Sequence, residues 1–363
     1  MKILVDCHSF DKEKFQGTTT YISGVYREMI LISPNHFHFY FCTTEVEYLK
    51  KIFGNHPNVH YEELQYKNAF IRLVYEIPKI IIKNKIDFLH IQYKAPLLKL
   101  CKEINSTHDV LFLDFPENFS LKFRLLNKFW YRFSTRRADI LNTISDYSKE
   151  RISSHFKINQ SKIINSGIGL NQKMLDFRNG TLTHYIHNKT ELKGYILYVS
   201  RIEPRKNHHR LIKAMELAKL SNFKLVFVGT QTHPYDEFSR AILNSSIEII
   251  WLKNIPDNEL AMLYANASLS VFPSLCEGFG LPPIESLIFN THCIIADNTA
   301  MSEYKDLMLS SFDGNNISDI SNVMIKSLNK LSTPIDQETV LNRYSWNKTA
   351  NTLLTKISCY DKI

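Results

Sequence analysis

The chain has 363 residues, 44% of them hydrophobic and 22% charged, a size comfortable for two soluble domains that each bury a sizeable core. No run of eighteen or more apolar residues occurs, so no membrane-spanning helix is expected. The formal net charge is +8 and its excess lies wholly in the first half: residues 1–180 carry 26 Lys and Arg against 18 Asp and Glu, and residues 181–363 carry 18 of each. A basic half points to an anionic partner (a membrane surface, nucleic acid or a phosphorylated substrate) or to a solvated lysine-rich surface.

The opening "MKILVDCHSF" has no secretory apolar core and moves straight into a strand, "KILVD". Cys7, Cys42, Cys101, Cys276, Cys293 and Cys359 form no CxxC pair, which fits reduced cytosolic thiols rather than a disulfide or zinc framework. After the first strand comes "FQGTTTYISGV", 15–25, where Gly17 and three threonines precede a helix. That resembles a phosphate-approach turn, and the lack of G-x-G-x-x-G disfavours a dinucleotide site. Strands are then predicted at "HFYFCTT", "DFLHIQY", "DVLFLD", "ILNTIS" and "IINSGI", with helical segments such as "TYISGVYREMILI" and "DYSKERISSHF" between them. His108 and Asp109 begin the strand-like run in "STHDVLFLDFPENF", while Asp114 and Glu117 read as structural carboxylates.

Residues 171–194 are polar and aperiodic and mark a domain boundary. The rhythm then returns with "YILYVS", "KLVFVG", "IEIIWLK", "LSVFPS" and "HCIIAD". Two series of short strands alternating with helices predict an α/β chain of two doubly wound, Rossmann-like domains, 1–175 and 190–345. The last stretch, 346–363, reads as an amphipathic helix with Trp346, Leu353, Leu354 and Ile357 on its apolar side, able to pack back on the first domain.

Two stretches of the second half carry chemistry. In "YILYVSRIEPRKNHHRLIKAM", 195–215, a strand ends at Ser200 and a helix begins near Asn207, with Arg201, Arg205 and Lys206 between. Cations at a βα junction, beside unbonded helix N–H groups, suit a diphosphate without a metal. In "LSVFPSLCEGFGLPPIESL" a strand runs into a glycine turn and then a helix with early proline. Gly278 and Gly280 let the backbone approach a ligand, Glu277 is placed for sugar hydroxyls, and Glu285 for ribose hydroxyls. Taken singly, either glutamate reads better as an ordinary helix-dipole acid, and it is the whole string that reads as a ligand loop. No Asp-x-Asp, H-E-x-x-H, G-x-S-x-G or G-x-x-x-x-G-K-[ST] occurs.

Together, "YVSRIEPRKNHHRLIKAM", "IEIIWLKNIPDNELAMLYANASLSVFPSLCEGFGLPPIESL", "ADILNTISDYSKERI" and "KIINSGIGLN" resemble the retaining family 4 glycosyltransferases of the GT-B fold, in order and spacing over almost the whole chain. The resemblance implies two Rossmann-like domains facing each other. It implies that Arg201 and Lys206 hold a donor diphosphate, with Arg205 able to share that role. Glu285 would bind the ribose, and Glu277 the transferred sugar. Gly278, Phe279, Gly280 and Leu281 form the donor loop, and the backbone of Asn254 and Ile255 holds the base. Gly17 would approach the phosphates, and His108 the reacting face of the sugar. Lys253 stands where that family often has Gly, a departure beside the base site.

The expected reaction is a metal-independent, retaining hexosyl transfer by front-face attack, with no covalent carboxylate nucleophile and no cofactor beyond the nucleotide-sugar donor. The "SRIEPRKN" type resembles bacterial O-antigen and capsule enzymes, often mannosyltransferases, which implies GDP-mannose and a saccharide acceptor, lipid-linked. Rival readings are a non-catalytic GT-B partner subunit, a sugar-nucleotide epimerase and a nucleic-acid-modifying glycosyltransferase. Against the last, no recognition helix or aromatic single-strand groove is legible, and no nucleic acid is expected as partner. Finally, "SLKFRLLNKFWYRFSTRR", 120–137, has six cations and no acid, with Leu126, Phe129, Trp130 and Phe133 on one helical face. It reads either as a core-packed helix or as peripheral contact with an anionic membrane, which would place the protein in the cytoplasm on the inner face of the cytoplasmic membrane.

Overall fold

The computed structural model describes residues 1–10, 17–181, 194–231 and 234–360. Phe15 and Gln16 of the first glycine turn, residues 182–193 of the boundary segment and the last three residues lie outside them. The chain forms two compact units: Met1–Gly169 together with Tyr344–Ile363, and Leu170–Arg343.

The first unit holds β1 (Lys2–Asp6), β2 (His38–Thr43), β3 (Val59–Glu63), β4 (Phe88–Gln92), β5 (Lys102–Ser106), β6 (Ile140–Thr143) and β7 (Ile163–Asn165). All pair in parallel, in the order β3-β2-β1-β4-β5-β6-β7. Parallel neighbours need crossover helices, so both faces are covered and strands such as β2 are apolar without alternation. One face buries Leu4, Tyr40, Leu73, Ile77, Leu89 and Ile91 in a single cluster.

The structure corrects one strand. "DVLFLD" is not extended: Leu111–Asp114 is a single helical turn, and Val110 and Phe112 pack with Tyr131, Ile152 and Phe156. The strand is the polar "KEINS" just before it, and His108 and Asp109 follow its end rather than open the next. Hydrogen bonds explain how so polar a segment is buried. Asn142 donates to the Tyr21 hydroxyl at 2.8 Å and to Ser106 Oγ at 3.0 Å, and Tyr21 and Ser166 share a bond of 2.9 Å. A satisfied network replaces apolar packing there.

The C-terminal helix Trp346–Ser358 belongs to the first unit, burying Trp346, Leu353, Leu354 and Ile357. It packs on the helix Gly17–Ile32. The indole of Trp346 lies so close that a Cβ on Gly24 would stand 2.0 Å from it, and one on Gly169 2.5 Å. Space, not backbone freedom, demands glycine at both positions.

The second unit holds β8 (Tyr195–Val199), β9 (Lys224–Val228), β10 (Ile249–Leu252), β11 (Leu269–Phe272), β12 (Cys293–Ala296) and β13 (Ser310–Phe312), parallel in the order β10-β9-β8-β11-β12-β13. Strand order therefore reverses direction between β8 and β11, and in the first unit between β1 and β4. Loops leaving the carboxyl ends of strands at such points diverge and leave a ligand-sized crevice. Part of the predicted boundary is ordered in this unit: the helix Gln172–Asp176 is tied by Lys173 to Asp257 at 2.9 Å.

Gly24→Ala is expected to destabilise the first unit by about 1–3 kcal/mol through overpacking against Trp346. Gly17→Ala, whose Cβ meets nothing within 4 Å, should unfold at the wild-type urea midpoint. Equal midpoints for all three proteins would refute the packing argument.

Candidate functional site

Two turns flank the reversal point of the second unit. The first, 200–207, runs from β8 into the helix His208–Leu217. It closes on Asn207, whose φ of 64° is left-handed, a region asparagine tolerates. The Asn207 amide donates to Pro273 O at 3.0 Å and Gly314 O at 2.7 Å, fastening this turn to the loops beyond β11 and β13. The second turn, 273–280, runs from β11 into the helix Leu281–Ile288, which carries Pro in its first turn. Gly280 has φ 88°, and a Cβ there would stand 2.9 Å from the Tyr304 hydroxyl. That hydroxyl divides its proton between Phe279 O at 2.9 Å and Gly280 O at 3.0 Å.

Four charges interlock across the two turns. The Lys206 ammonium bonds directly to the Glu277 carboxylate. Arg205 donates to Glu203 Oε1 at 2.6 Å and to Cys276 O at 2.9 Å, and stands 3.4 Å from the other oxygen of Glu277. Burial pushes the Glu277 carboxyl up, but Lys206 and then Arg205 outweigh it and hold the group at about 2. Burial pulls Lys206 down, and Glu277 opposes that pull. The Arg205 fork is thus engaged by protein groups. Arg201, with 61% of its side chain exposed and only a 3.6 Å approach to Glu203, extends to solvent.

Glu285 has the opposite environment. Its side chain is buried, accepts one bond of 3.2 Å from the Tyr264 hydroxyl, and meets no cation among the described residues. Burial raises its pKa to about 7, with the Tyr264 bond lowering it and Asp257 raising it. Asn254, at φ 51°, and Ile255 follow β10 on the same carboxyl edge. The Lys253 ammonium lies 3.9 Å over the ring of Trp251, which in turn donates to Gly229 O at 2.7 Å.

The second unit therefore gathers Arg201, Arg205, Lys206, Glu277, Gly278, Phe279, Gly280 and Leu281 on the two turns, with Glu285 one turn further along its helix. Gly17 and His108 belong to the first unit. Gly17 opens the helix after β1, and from that helix Tyr21 packs edge-on against His108 with ring centres 4.9 Å apart. His108 is buried, which lowers its pKa to about 4, and its Nε2 has no hydrogen-bond partner among the described residues. It is a neutral ring at physiological pH.

Sequence reasoning missed a polar group at the same edge of the first unit. Asp6, at the end of β1, pairs with Arg72 at 3.3 Å and His8 at 3.1 Å. Among the described residues nothing bonds either amide atom of Gln92, buried at the end of β4, or Glu76 Oε2. Arg72 and Glu76 sit in a widened π turn, Arg72–Glu76, a local form frequent at functional sites. In sequence "RLVYE" looks like ordinary helix, and the only signal was an amide closing the strand "FLHIQ". Asn207 and Tyr304, which brace the charged turns, were missed because their partners are distant in sequence, and Glu203, paired with Arg205 two residues on, was passed over beside the cations.

This arrangement, two parallel α/β units with the charged turns in the second, is the GT-B fold. A solved glycosyltransferase from Rickettsia africae superposes with a TM-score of 0.73 over 98% of this chain and 97% of that one, at 20% identity. Residues 182–330 match the family model described as glycosyl transferases group 1. The O-antigen chain mannosyltransferase RfbU of Salmonella typhimurium is 26% identical over 223 residues, 60% of this chain and 59% of that protein. The O-antigen chain mannosyltransferase B of Escherichia coli is 26% identical over 238 residues, 63% and 62% of the two. The similarity thus spans less than two thirds of either relative's length.

Glu285 makes a pH prediction. With a folded pKa near 7 against an ordinary 4.5, its protonated form is favoured by folding. The stability this provides is full below about pH 4.5 and is lost as pH rises through 7, a change of about 3 kcal/mol. The unfolding free energy of Glu285→Gln relative to wild type should therefore rise with pH across that window. A difference that stays flat would show that the carboxyl titrates normally.

Proposed function

We propose that this protein is a retaining hexosyltransferase that moves mannose from GDP-mannose to a lipid-linked saccharide acceptor in O-antigen or related surface-polysaccharide synthesis. It would work in the cytoplasm, peripherally on the inner face of the cytoplasmic membrane. The observation that carries the reading is the Lys206–Glu277 pair with Arg201 beside it, set where helix N-termini follow β8 and β11. The similarity of residues 182–330 to group 1 glycosyl transferases supports the same assignment.

The chemistry follows from charge. Cleaving the bond between the anomeric carbon and the diphosphate leaves positive character on the sugar and negative charge on the leaving group. Arg201 and Lys206, with the N–H groups of the two helix starts, stabilise that leaving group without a metal. Glu277 holds the Lys206 ammonium in place and turns its remaining acceptor capacity to the hydroxyls of the sugar. A carboxylate already engaged by two cations is a poor nucleophile, which suits front-face attack with the diphosphate oxygen taking the acceptor's proton. Glu285 accepts from the ribose, and Asn254 and Ile255 present backbone to the base. Gly17 offers backbone to the phosphates, and neutral His108 offers hydrogen bonds to the sugar. Arg205 acts by bracing Glu203 and Glu277. The unmet amide of Gln92 and the oxygen of Glu76 suit acceptor hydroxyls, since each hydroxyl both donates and accepts.

Presented with a panel of nucleotide sugars, the protein should release GDP from GDP-mannose, and faster when acceptor is added. Turnover of another donor alone would overturn the donor assignment, and no turnover of any donor would favour a non-catalytic subunit. Arg201→Ala should lower turnover about a hundredfold with the fold intact, since the side chain is exposed. Lys206→Ala should cost as much in rate and also destabilise the second unit, because it leaves the buried Glu277 carboxylate with Arg205 alone. Activity should survive EDTA, and an absolute need for added Mg²⁺ or Mn²⁺ would refute the side-chain clamp.

A further inference from the structure

The helix Leu121–Arg137 turns much of its apolar surface outward. The residues it buries, Asn127, Tyr131, Ser134 and Thr135, form a polar row at i, i+4, i+7 and i+8. That row is satisfied internally: Asn127 donates to Phe123 O at 2.8 Å, Thr135 bonds to Tyr131 O, and Ser134 Oγ accepts from Ala95 N at 2.8 Å. Trp130 and Phe133 are half-buried, Trp130 against the core cluster of Tyr131 and Ile152, but most of the apolar side chains point the other way. Leu121, Phe123, Leu125, Leu126 and Phe129 are 44–65% exposed. The expectation that this segment is an ordinary core-packed helix is corrected in part: of its predicted apolar face Trp130 and Phe133 are half-buried, but Leu126 and Phe129 are exposed.

Cations border the exposed row. Lys122, Lys128 and Arg132 are exposed, and none forms an ion pair with any described residue. The neighbouring loop, 94–100, extends the surface with Leu97, Leu98 and Leu100, each at least 44% exposed. That loop is pinned to the last turn of the helix: Arg137 donates to Leu97 O at 2.9 Å and Lys99 to Arg137 O at 2.9 Å. Of the large hydrophobic side chains exposed among the described residues, all but Leu217, Leu243 and Ile325 belong to the first unit. The same half of the sequence holds the whole positive excess.

We infer that the outer face of the helix Leu121–Arg137, with the loop 94–100 beside it, is a docking surface for an anionic lipid bilayer. The helix lies in the plane of the interface, with Leu125, Leu126 and Phe129 among the acyl chains and Lys122, Lys128 and Arg132 at the headgroup phosphates. Both ingredients of reversible attachment are present, buried apolar area and several unpaired cations. Clustered cations with no acid from 120 to 137 favour an anionic surface over a second copy of this basic chain, which would bring like charges together. The inference names the surface behind the peripheral attachment proposed above.

The test is co-sedimentation of the full chain with vesicles of phosphatidylglycerol and phosphatidylethanolamine, without donor or acceptor, so that a failed glycosyl transfer leaves it untouched. Binding is expected at low salt, weakening as salt is added, and absent on pure phosphatidylcholine. Reversing Lys122, Lys128 and Arg132 to Glu should weaken partitioning about a hundredfold or more. Leu125→Ser with Phe129→Ser should also reduce it, and brominated acyl chains should quench Trp130 in the wild type but not in that variant. All five positions are exposed, so urea midpoints should be unchanged. No sedimentation at low salt, or binding indifferent to both sets of changes, would overturn the inference. So would a concentration-dependent dimer that dissociates with Phe129→Ser, which would assign the face to a second copy.

Discussion

The largely buried ion cluster of Glu203, Arg205, Lys206 and Glu277 is the constraint on which the carboxyl edge of the second unit depends. Two turns from distant parts of the chain are held in register because their carboxylates and cations leave water together. Charges so placed cost several kcal/mol each to desolvate and are retained only when every partner is present. Here each carboxylate meets a cation, and the Arg205 fork is filled by two carboxylates and a carbonyl. The backbone around them is fixed separately, by Asn207 reaching Pro273 and Gly314 and by Tyr304 closing over Gly280. Position and charge are thus set by different groups, and the exposed Arg201 makes only its 3.6 Å approach to Glu203.

Much of this was legible in sequence because parallel sheets write themselves as apolar runs. "KILVD", "YILYVS" and "LSVFPS" are strands in the structure, and the cations and glycines sit at their carboxyl ends. What was not legible has a common cause. β5 is buried through hydrogen bonds of Asn105, Ser106 and Asn142, so apolar periodicity passed over it and settled on "DVLFLD" instead. Asp6, Arg72, Glu76 and Gln92 come from three separate segments, and only the fold brings two of their strands side by side. The helix Leu121–Arg137 shows a third limit. Its apolar period was visible, but period does not say which way a face points.

That orientation is possible because a polar helical face need not lose stability when buried. Ser and Thr can bond carbonyls of their own helix, and Asn127 and Thr135 do so, leaving Ser134 to meet the loop at Ala95. Tyr131 adds packing area, stacking on Tyr93 with ring centres 4.9 Å apart. Burial of that row therefore does not require the apolar row to turn inward, and most of the latter is left exposed.

Glu277 and Glu285 show how little sequence distance says about function. They belong to one glycine-and-proline stretch, and the structure separates them electrically, one held at about 2 beside two cations and the other raised to about 7 in an apolar site. The first is anionic at any physiological pH and can serve as a fixed counter-charge. The second sits near its own midpoint, protonated or ionised according to what meets it. A pair of hydroxyls donating to Glu285 would favour its ionised form and draw the proton off, so ligand binding there and proton release are one linked event. The division of labour between two identical side chains thus comes from which one the turn places beside Lys206, and the stiff, bare backbone between them is what keeps their surroundings apart.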